Sequence, residues 1–242
     1  MIENNLNKKE TFPKKIPELT SEQKKIKEDF MEHWLKILRK KYLIIDKFNH
    51  NVVVKTRPIN FLKTLEIGAG IGKHLNYENL NDHQKKNYYA IDIRENLLKI
   101  ISNEHPMINT ILGNCEKKIN FENNFFDRII AIHILEHLPN LPEAINEVAR
   151  VLKKNGLFQI VIPCEGSLAY RFARKISAKR VFEKKYNTSY DWYITSEHVN
   201  LPYEIFAELK KKFILSKKTY FPIPISFEFC NLCIAINLRL KN

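Results

Sequence analysis

Five short apolar runs, separated by polar or helically patterned stretches, limit the folds open to this chain more than any other feature. They are KTLEIGAG, NYYAIDI, MINTILGN, FDRIIAIHI and GLFQIVIPC. Helical patterns lie between most of them, notably RENLLKIISNEH and LPEAINEVARVLKKNG. In the second, Leu141, Ala144, Ile145, Val148, Val151 and Leu152 share one helical face, and Gly156 is placed to stop the helix. Strands alternating with helices predict a mostly parallel sheet with helices on both faces. The tail adds a helix, LPYEIFAELKKKF, and two strands near 213–221 and 227–239, a hairpin-like edge to the sheet.

Ahead of the first strand, residues 1–20 are polar and carry Pro13 and Pro17. Ser21 can cap a helix in which Ile26, Phe30, Trp34, Ile37 and Leu38 recur at helical spacing. The expected organisation is a helical extension over 1–57 and an α/β domain over 58–242. Within that domain, 164–200 is a long insertion, placed as a lid. At 44% hydrophobic residues the chain can bury a full core, and no run of 18 apolar residues implies a membrane span. The N-terminus lacks an apolar signal segment, so a cytoplasmic protein is expected. Cys230 and Cys233 lie three apart on an expected strand and so point to opposite faces, which does not make half a zinc site. With Cys115 and Cys164 they read as buried free thiols, and no metal ligands are assigned.

The glycines locate a ligand. The chain has six, and Gly68, Gly70 and Gly72 fall within five residues in LEIGAGIG. Glycine belongs where a backbone turns tightly or approaches a ligand closely. In an α/β sheet, the turn after the first strand faces the crevice at the strand ends. The third glycine comes one residue too early for a dinucleotide fingerprint, whose sixth position is Lys73 here. Glu66, two residues before Gly68, would repel a pyrophosphate. A ligand with an ammonium and a sulfonium would be welcome there, and S-adenosylmethionine is such a ligand. Asp92, twenty residues after Gly72, can accept both ribose hydroxyls of an adenosine.

Residues 58–165 resemble a class I S-adenosylmethionine-dependent methyltransferase of the small-molecule type. The resemblance rests on LEIGAGIG, YAIDI, ILGNCEKKINFENNFFDRIIAIHILEHL and EAINEVARVLKKNGLFQIVIP. It implies a Rossmann-like seven-stranded sheet whose last strand is antiparallel. It implies Glu66, Gly68, Ala69, Gly70 and Gly72 around the methionine end, Asp92 on the ribose and Ile93 against the adenine. Where the family has Gly-Asp-Ala after the third strand, this chain has Gly113-Asn114-Cys115. The Asn114 carbonyl can still accept from the adenine amino group, but without charge. S-adenosylhomocysteine would be the product.

HILEH, residues 133–137, matches the H-x-x-E-H zinc signature of one metalloprotease class. That reading needs His133 and His137 on one continuous helix. A strand pattern before the motif and Pro139 and Pro142 after it place it on a strand-to-helix loop instead. The resemblance makes it the border of the cofactor pocket, with His133 at the methionine end. Methyl transfer to a hydroxyl gains from a general base, and His137 and His198 are the candidates. For each, a structural role competes: bonding to backbone for His137, helix capping for His198.

The formal charge of +13 is compatible with a polyanionic partner, although Lys, Asn and Ile are abundant throughout. The insertion interleaves basic and aromatic residues. Tyr170, Arg171, Arg174, Tyr190, Trp192 and Tyr193 are the expected substrate contacts, suited to phosphate and ring recognition. The layout resembles methyltransferases of bacterial surface-polysaccharide (capsule) pathways. A small acceptor is then expected, a sugar hydroxyl or phosphate-type group carried on a nucleotide, and O-methyl transfer. Two alternatives stay open. An RNA methyltransferase fits the charge, but the chain lacks the Asn/Asp-Pro-Pro-aromatic motif after strand four, so nucleic acid is not the expected partner. A non-catalytic partner subunit of the same fold is the other, and the complete glycine motif speaks against it.

Overall fold

A computed structural model describes residues 11–41, 43–225 and 228–241. Residues 1–10 of the expected extension, the side chain of Leu38 and the start of the expected last strand at Phe227 lie outside the described residues. Two helices come first, α1 (Ser21–Lys41) and α2 (Leu43–Lys55). The alternation follows: β1 (Thr64–Ile67), α3 (Asp82–Lys86), β2 (Tyr88–Asp92), α4 (Glu95–Glu104), β3 (Asn109–Leu112), β4 (Phe126–Ile132), α5 (Leu141–Val151) and β5 (Leu152–Pro163). The insertion carries α6 (Leu168–Arg174), α7 (Arg180–Tyr186) and α8 (Asp191–Glu197). The chain then runs through α9 (Pro202–Lys212), β6 (Phe213–Phe221) and β7 (Cys233–Leu240).

The seven strands form one sheet in the order β3-β2-β1-β4-β5-β7-β6. Strands β1 to β5 pair in parallel, and β7 is antiparallel to both β5 and β6. This is the expected mixed sheet. Its order reverses beside β1: the chain steps outward to β2 and β3, then returns to place β4 on the other side. A crevice opens at such a switch point, at the carboxyl end of β1.

Strand alternation sorts the two faces. Leu65, Ile67, Ile129, Ala131, Phe158 and Ile160 pack against Ile145 and Val148 of α5 and Ile205 and Leu209 of α9. On the opposite face Ile130, Val161 and Ala235 meet Val52 and Val53 of α2. That second face also holds a charge. Arg128 is fully buried. It donates to Gln159 Oε1 at 2.7 Å and to Glu78 Oε1 at 2.6 Å. Glu78 also takes His74 Nε2 at 3.0 Å and pairs with Arg57. Gln159 passes the connection to α2, donating to the Val53 carbonyl and Thr56 Oγ1, each at 2.9 Å. A buried charge is tolerable when paired and hydrogen-bonded, and here every partner comes from another segment.

Two expectations need correction. The α5 helix ends at Val151, and strand β5 already begins at Leu152, well before Gly156. Leu152 pairs with Phe126 of β4, so the sheet takes it from the helical pattern. Cys230 lies in a short 3-10 turn and is exposed, whereas Cys233 opens β7 and is buried. All four cysteines are free. The extension is helical over its described residues Ser21–Lys41 and Leu43–Lys55, as the spacing from Ser21 predicts, and α2 packs on the sheet through Val52 and Val53. Helix α1 packs elsewhere, on the insertion: the Phe30 ring lies 4.9 Å from Phe182 and 5.1 Å from Tyr193.

Candidate functional site at the switch point

The turn after β1 has the backbone shape that its glycines allow. Gly68 and Gly70 have φ of 66° and 56°, in the left-handed region where a side chain is strained. A Cβ on Gly68 would stand 2.6 Å from Ile134 Cδ1, so the segment after β4 packs directly on the turn. Nothing lies within 4 Å of a Cβ position on Gly70, which leaves space beside it. The Gly70 N–H donates to Asp92 Oδ2 at 2.9 Å, joining the turn to the end of β2.

Asp92 also accepts from the Arg94 backbone at 3.0 Å and from both Nε and a terminal nitrogen of the Arg94 guanidinium. Burial works against its charge, but Arg94 and the two backbone donors hold the carboxyl below its ordinary value. Ile93, next in the chain, is 69% exposed, an apolar side chain free to lie against a flat ring. Ala69 and Cys115 are buried, and burial pushes the Cys115 thiol up to about 12, so it stays neutral. Asn114 is turned inward: its Oδ1 accepts from the Glu116 N–H at 2.8 Å and its Nδ2 donates to the Glu116 carboxylate at 3.3 Å. These residues fit S-adenosylmethionine at the glycine turn, at Asp92 and at Ile93. Ribose hydroxyls would take the place of the Arg94 side chain on Asp92, and Asn114 would have to release Glu116 to meet an adenine.

Glu66 is buried rather than open to the crevice. Its Oε2 accepts from the Tyr88 hydroxyl at 2.7 Å. Burial raises its carboxyl to about 7; the Tyr88 hydrogen bond and the Arg128 charge work the other way, and Glu78 and Asp92 add to the rise. The unfolded chain releases this proton near the ordinary value of 4.5. Between those values the folded state holds a proton that the unfolded state has lost, so stability falls as pH rises from 4.5 to about 7. Above that the cost is constant, about 3 kcal/mol at 1.36 kcal/mol per unit. Glu66→Gln keeps an acceptor for Tyr88 and removes the titration. The variant is expected to unfold at higher temperature than the parent at pH 8, with the difference vanishing near pH 4. Parallel melting curves from pH 4 to 9 check this, and equal Tm values at pH 8 would reject it.

Beyond β4 the chain turns at His133, whose φ is 51°, and enters a short 3-10 turn, Leu135–His137. H-x-x-E-H is thus on a loop, as expected, and not on a continuous helix. His133 Nδ1 donates to Glu136 Oε1 at 3.1 Å. Burial opposes the Glu136 charge, yet the His133 hydrogen bond and the surrounding imidazoles hold its carboxyl down at about 2. His137 and His198 come together, their rings 4.9 Å apart and near perpendicular. His198 bonds the Glu165 carboxylate, whose other oxygen pairs with Arg174. Glu136 and Glu165 contact these imidazoles, and neither is assigned a role from the sequence. Glu136 was in view inside HILEH, whereas nothing local marks Glu165.

The insertion residues divide. Tyr190 and Tyr193 are buried with Phe30 and Phe182, and Trp192 packs at the edge of the same cluster. These three rings hold α1 to the insertion instead of facing solvent. Arg171 and Arg174, with Leu168, Phe172, Lys175, Lys179 and Asp191, line an open cavity of about 440 Å³. Arg174 stacks over the Tyr170 ring at 5.6 Å while it pairs with Glu165, so the basic groove connects by direct contacts to His198.

Residues 65–160 match the methyltransferase domain family. That segment spans β1 to β5 and contains the glycine turn, Asp92 and HILEH. The crevice therefore lies within the segment that matches this family. The human mitochondrial protein named arginine-hydroxylase NDUFAF5 is 31% identical over 102 residues, which is 42% of this chain and 28% of that protein. The chain thus spans under a third of the length of that relative. Among solved structures, an S-adenosylmethionine-dependent methyltransferase of Thermotoga maritima superposes with a TM-score of 0.60 at 18% identity, covering 90% of this chain and 99% of that one. The [4+2]-cyclase SpnF superposes with a TM-score of 0.56 at 12% identity, covering 81% of each chain. The fold is the methyltransferase fold, and among these proteins it carries more than one chemistry. No helix among the described residues is long and apolar enough to cross a membrane.

Proposed function

We propose that this protein is an S-adenosylmethionine-dependent methyltransferase that methylates an oxygen of a small anionic acceptor. The observation that carries the reading is the joint placement of the Gly70 N–H, the Asp92 carboxylate and the exposed Ile93 around the switch-point crevice. When bound, S-adenosylmethionine supplies an electrophilic methyl group on a sulfonium. The residues then have separate tasks. Asp92 holds the ribose, Ile93 covers the adenine, and Gly68, Ala69 and Gly70 surround the methionine end, with Glu66 buried behind them on Tyr88. His133 borders that end, and His137 and His198 face the acceptor oxygen.

The acceptor is a sugar hydroxyl or phosphate-type group, nucleotide-linked, of the kind used in bacterial surface-polysaccharide (capsule) biosynthesis. Support for the anionic character comes from the groove of Arg171, Arg174, Lys175 and Lys179, a cluster of donors suited to phosphate. In the same reading, residues 58–242 are the catalytic domain, 164–200 is its acceptor-side lid, and 1–57 is an extension. Helix α1 of that extension braces the lid through Phe30.

Calorimetric titration with S-adenosylhomocysteine tests the cofactor. Micromolar binding is the expected result, followed by methyl uptake in a screen of nucleotide-sugars and phosphorylated sugars. Absence of binding by the folded protein would reject the enzyme reading and leave a partner subunit of the same fold. Methyl uptake by RNA in place of sugars would overturn the acceptor class.

A further inference from the structure

Three side chains beside the crevice converge in a way that cofactor binding does not require. Glu136, His137 and His198 each place a ligand atom within 4.8 Å of the other two. Outer partners orient both imidazoles. His137 Nδ1 donates to the Glu197 backbone carbonyl at 2.7 Å, and His198 Nδ1 donates to the Glu165 carboxylate. Those oxygens can only accept, so each ring carries a hydrogen on Nδ1, which directs Nε2 of the neutral ring to a ligand. A carbonyl or carboxylate that fixes the tautomer in this way is the usual outer shell of a metal-ligating histidine.

Glu136 supplies the second observation. The residue is 1% exposed, and its Oε2 is buried with no hydrogen-bond partner. An unmatched carboxylate oxygen in the interior is costly unless a donor or a cation meets it, and beside two imidazoles a cation is well placed to do so. The segments that bear the three residues are also tied together. The Val199 and Asn200 N–H groups donate to the Glu136 carbonyl at 2.8 and 3.0 Å. Asn200 Nδ2 reaches the carbonyls of Leu135 and Leu138 at 2.8 and 2.6 Å. The cluster is held by backbone cross-links, not by three mobile side chains meeting on a surface.

We infer that Glu136, His137 and His198 bind a divalent first-row metal ion of the Zn²⁺, Mn²⁺, Fe²⁺ or Co²⁺ class. Two imidazole nitrogens and one carboxylate with open positions suit these ions, whereas Mg²⁺ and Ca²⁺ favour oxygen ligands. The ligand set differs from the helical zinc reading of H-x-x-E-H. Glu136 takes the place of His133, which donates to Glu136 instead, and His198 arrives from a distant segment. The catalytic role rests on the methyl-transfer reading above. The ion would take the acceptor hydroxyl and raise its acidity, so that the proton leaves to solvent. The oxygen then forms its bond to the methyl carbon as the carbon–sulfur bond breaks, and sulfur keeps the electron pair as a neutral thioether.

Titration of the metal-stripped full chain with CoCl₂, followed by absorbance and calorimetry, tests the site. One ion per chain is expected, with a nitrogen- and oxygen-ligated spectrum free of thiolate charge transfer, which separates the site from the cysteines. His198→Ala and Glu136→Gln are each expected to weaken binding on the order of 100-fold, and Cys230→Ser not at all. X-ray absorption on the Co²⁺-loaded parent needs no variant and is expected to report two imidazoles. No stoichiometric binding, binding unchanged in both variants, or an absorption spectrum without imidazole would overturn the site. The S-adenosylhomocysteine titration is a separate arm. A chain that binds Co²⁺ and not that ligand keeps the metal site and loses the methyl-transfer reading, and the converse loses the site alone.

Discussion

Arg128→Met is expected to cost about 3–5 kcal/mol of folding stability, because it removes a fully buried charge partner from Glu78, which keeps only Arg57 and His74 among the described residues, and leaves the buried Gln159 Oε1 without its Arg128 donor. Few single substitutions in a domain this size would cost more, since total stability is about 5–15 kcal/mol. The effect does not come from a lost surface ion pair. Arg128 and the Glu78 side chain are both fully buried, and Glu78 is held down at about 2: burial opposes its charge, and His74 and Arg128 more than offset that. The Met side chain fills much of the same volume, so the loss reports the missing buried charge pairing and not a cavity. Adding Glu78→Gln is therefore expected to restore a large part of the stability. Urea denaturation of the two variants and the parent decides it. A loss under about 1 kcal/mol for Arg128→Met, in the range of exposed ion pairs, would reject this account.

Asp92→Ala is expected to weaken S-adenosylhomocysteine binding roughly 100-fold. Two ribose hydroxyls donating to a charged acceptor contribute about 1.5–3 kcal/mol each, and part of that is offset by the release of Arg94. Arg94→Ala provides the control. Its guanidinium occupies the same carboxylate oxygens, so removing it is expected to leave affinity unchanged or raise it. The two variants are thus expected to move in different directions, which a general disruption of the β2 end would not produce. Calorimetry on both checks the pair, and equal weakening in the two would sink the ribose assignment.

Whatever rests on neighbours in the chain could be read before the fold was known. The strand-helix alternation yielded the seven-stranded sheet, because a parallel crossover requires a covering element. LEIGAGIG marked the tight turn after β1 for a local reason: only glycine is at ease at the φ values of Gly68 and Gly70. The position of Asp92 at the end of β2 followed from its spacing, because one βαβ step sets where the next strand ends. Local pattern also had its limit. Leu152 lies on the apolar face of a helix by periodicity, and pairing with Phe126 made it a strand residue instead.

Convergence between distant segments was decided by the tertiary structure alone. Arg128 gave no sign of being an interior charge, because its partners Glu78 and Gln159 come from separate strands and loops. Tyr190, Trp192 and Tyr193 looked like a binding surface, and α1 covered them with Phe30. HILEH was ambiguous by itself, since two histidines four apart are ligands only on a helix. Its place on a loop, with Asn200 stapling the segment of His198 against it, created a different set of three ligands. The sequence carries the residue types and the short-range geometry, and the long-range hydrogen bonds choose which of them meet.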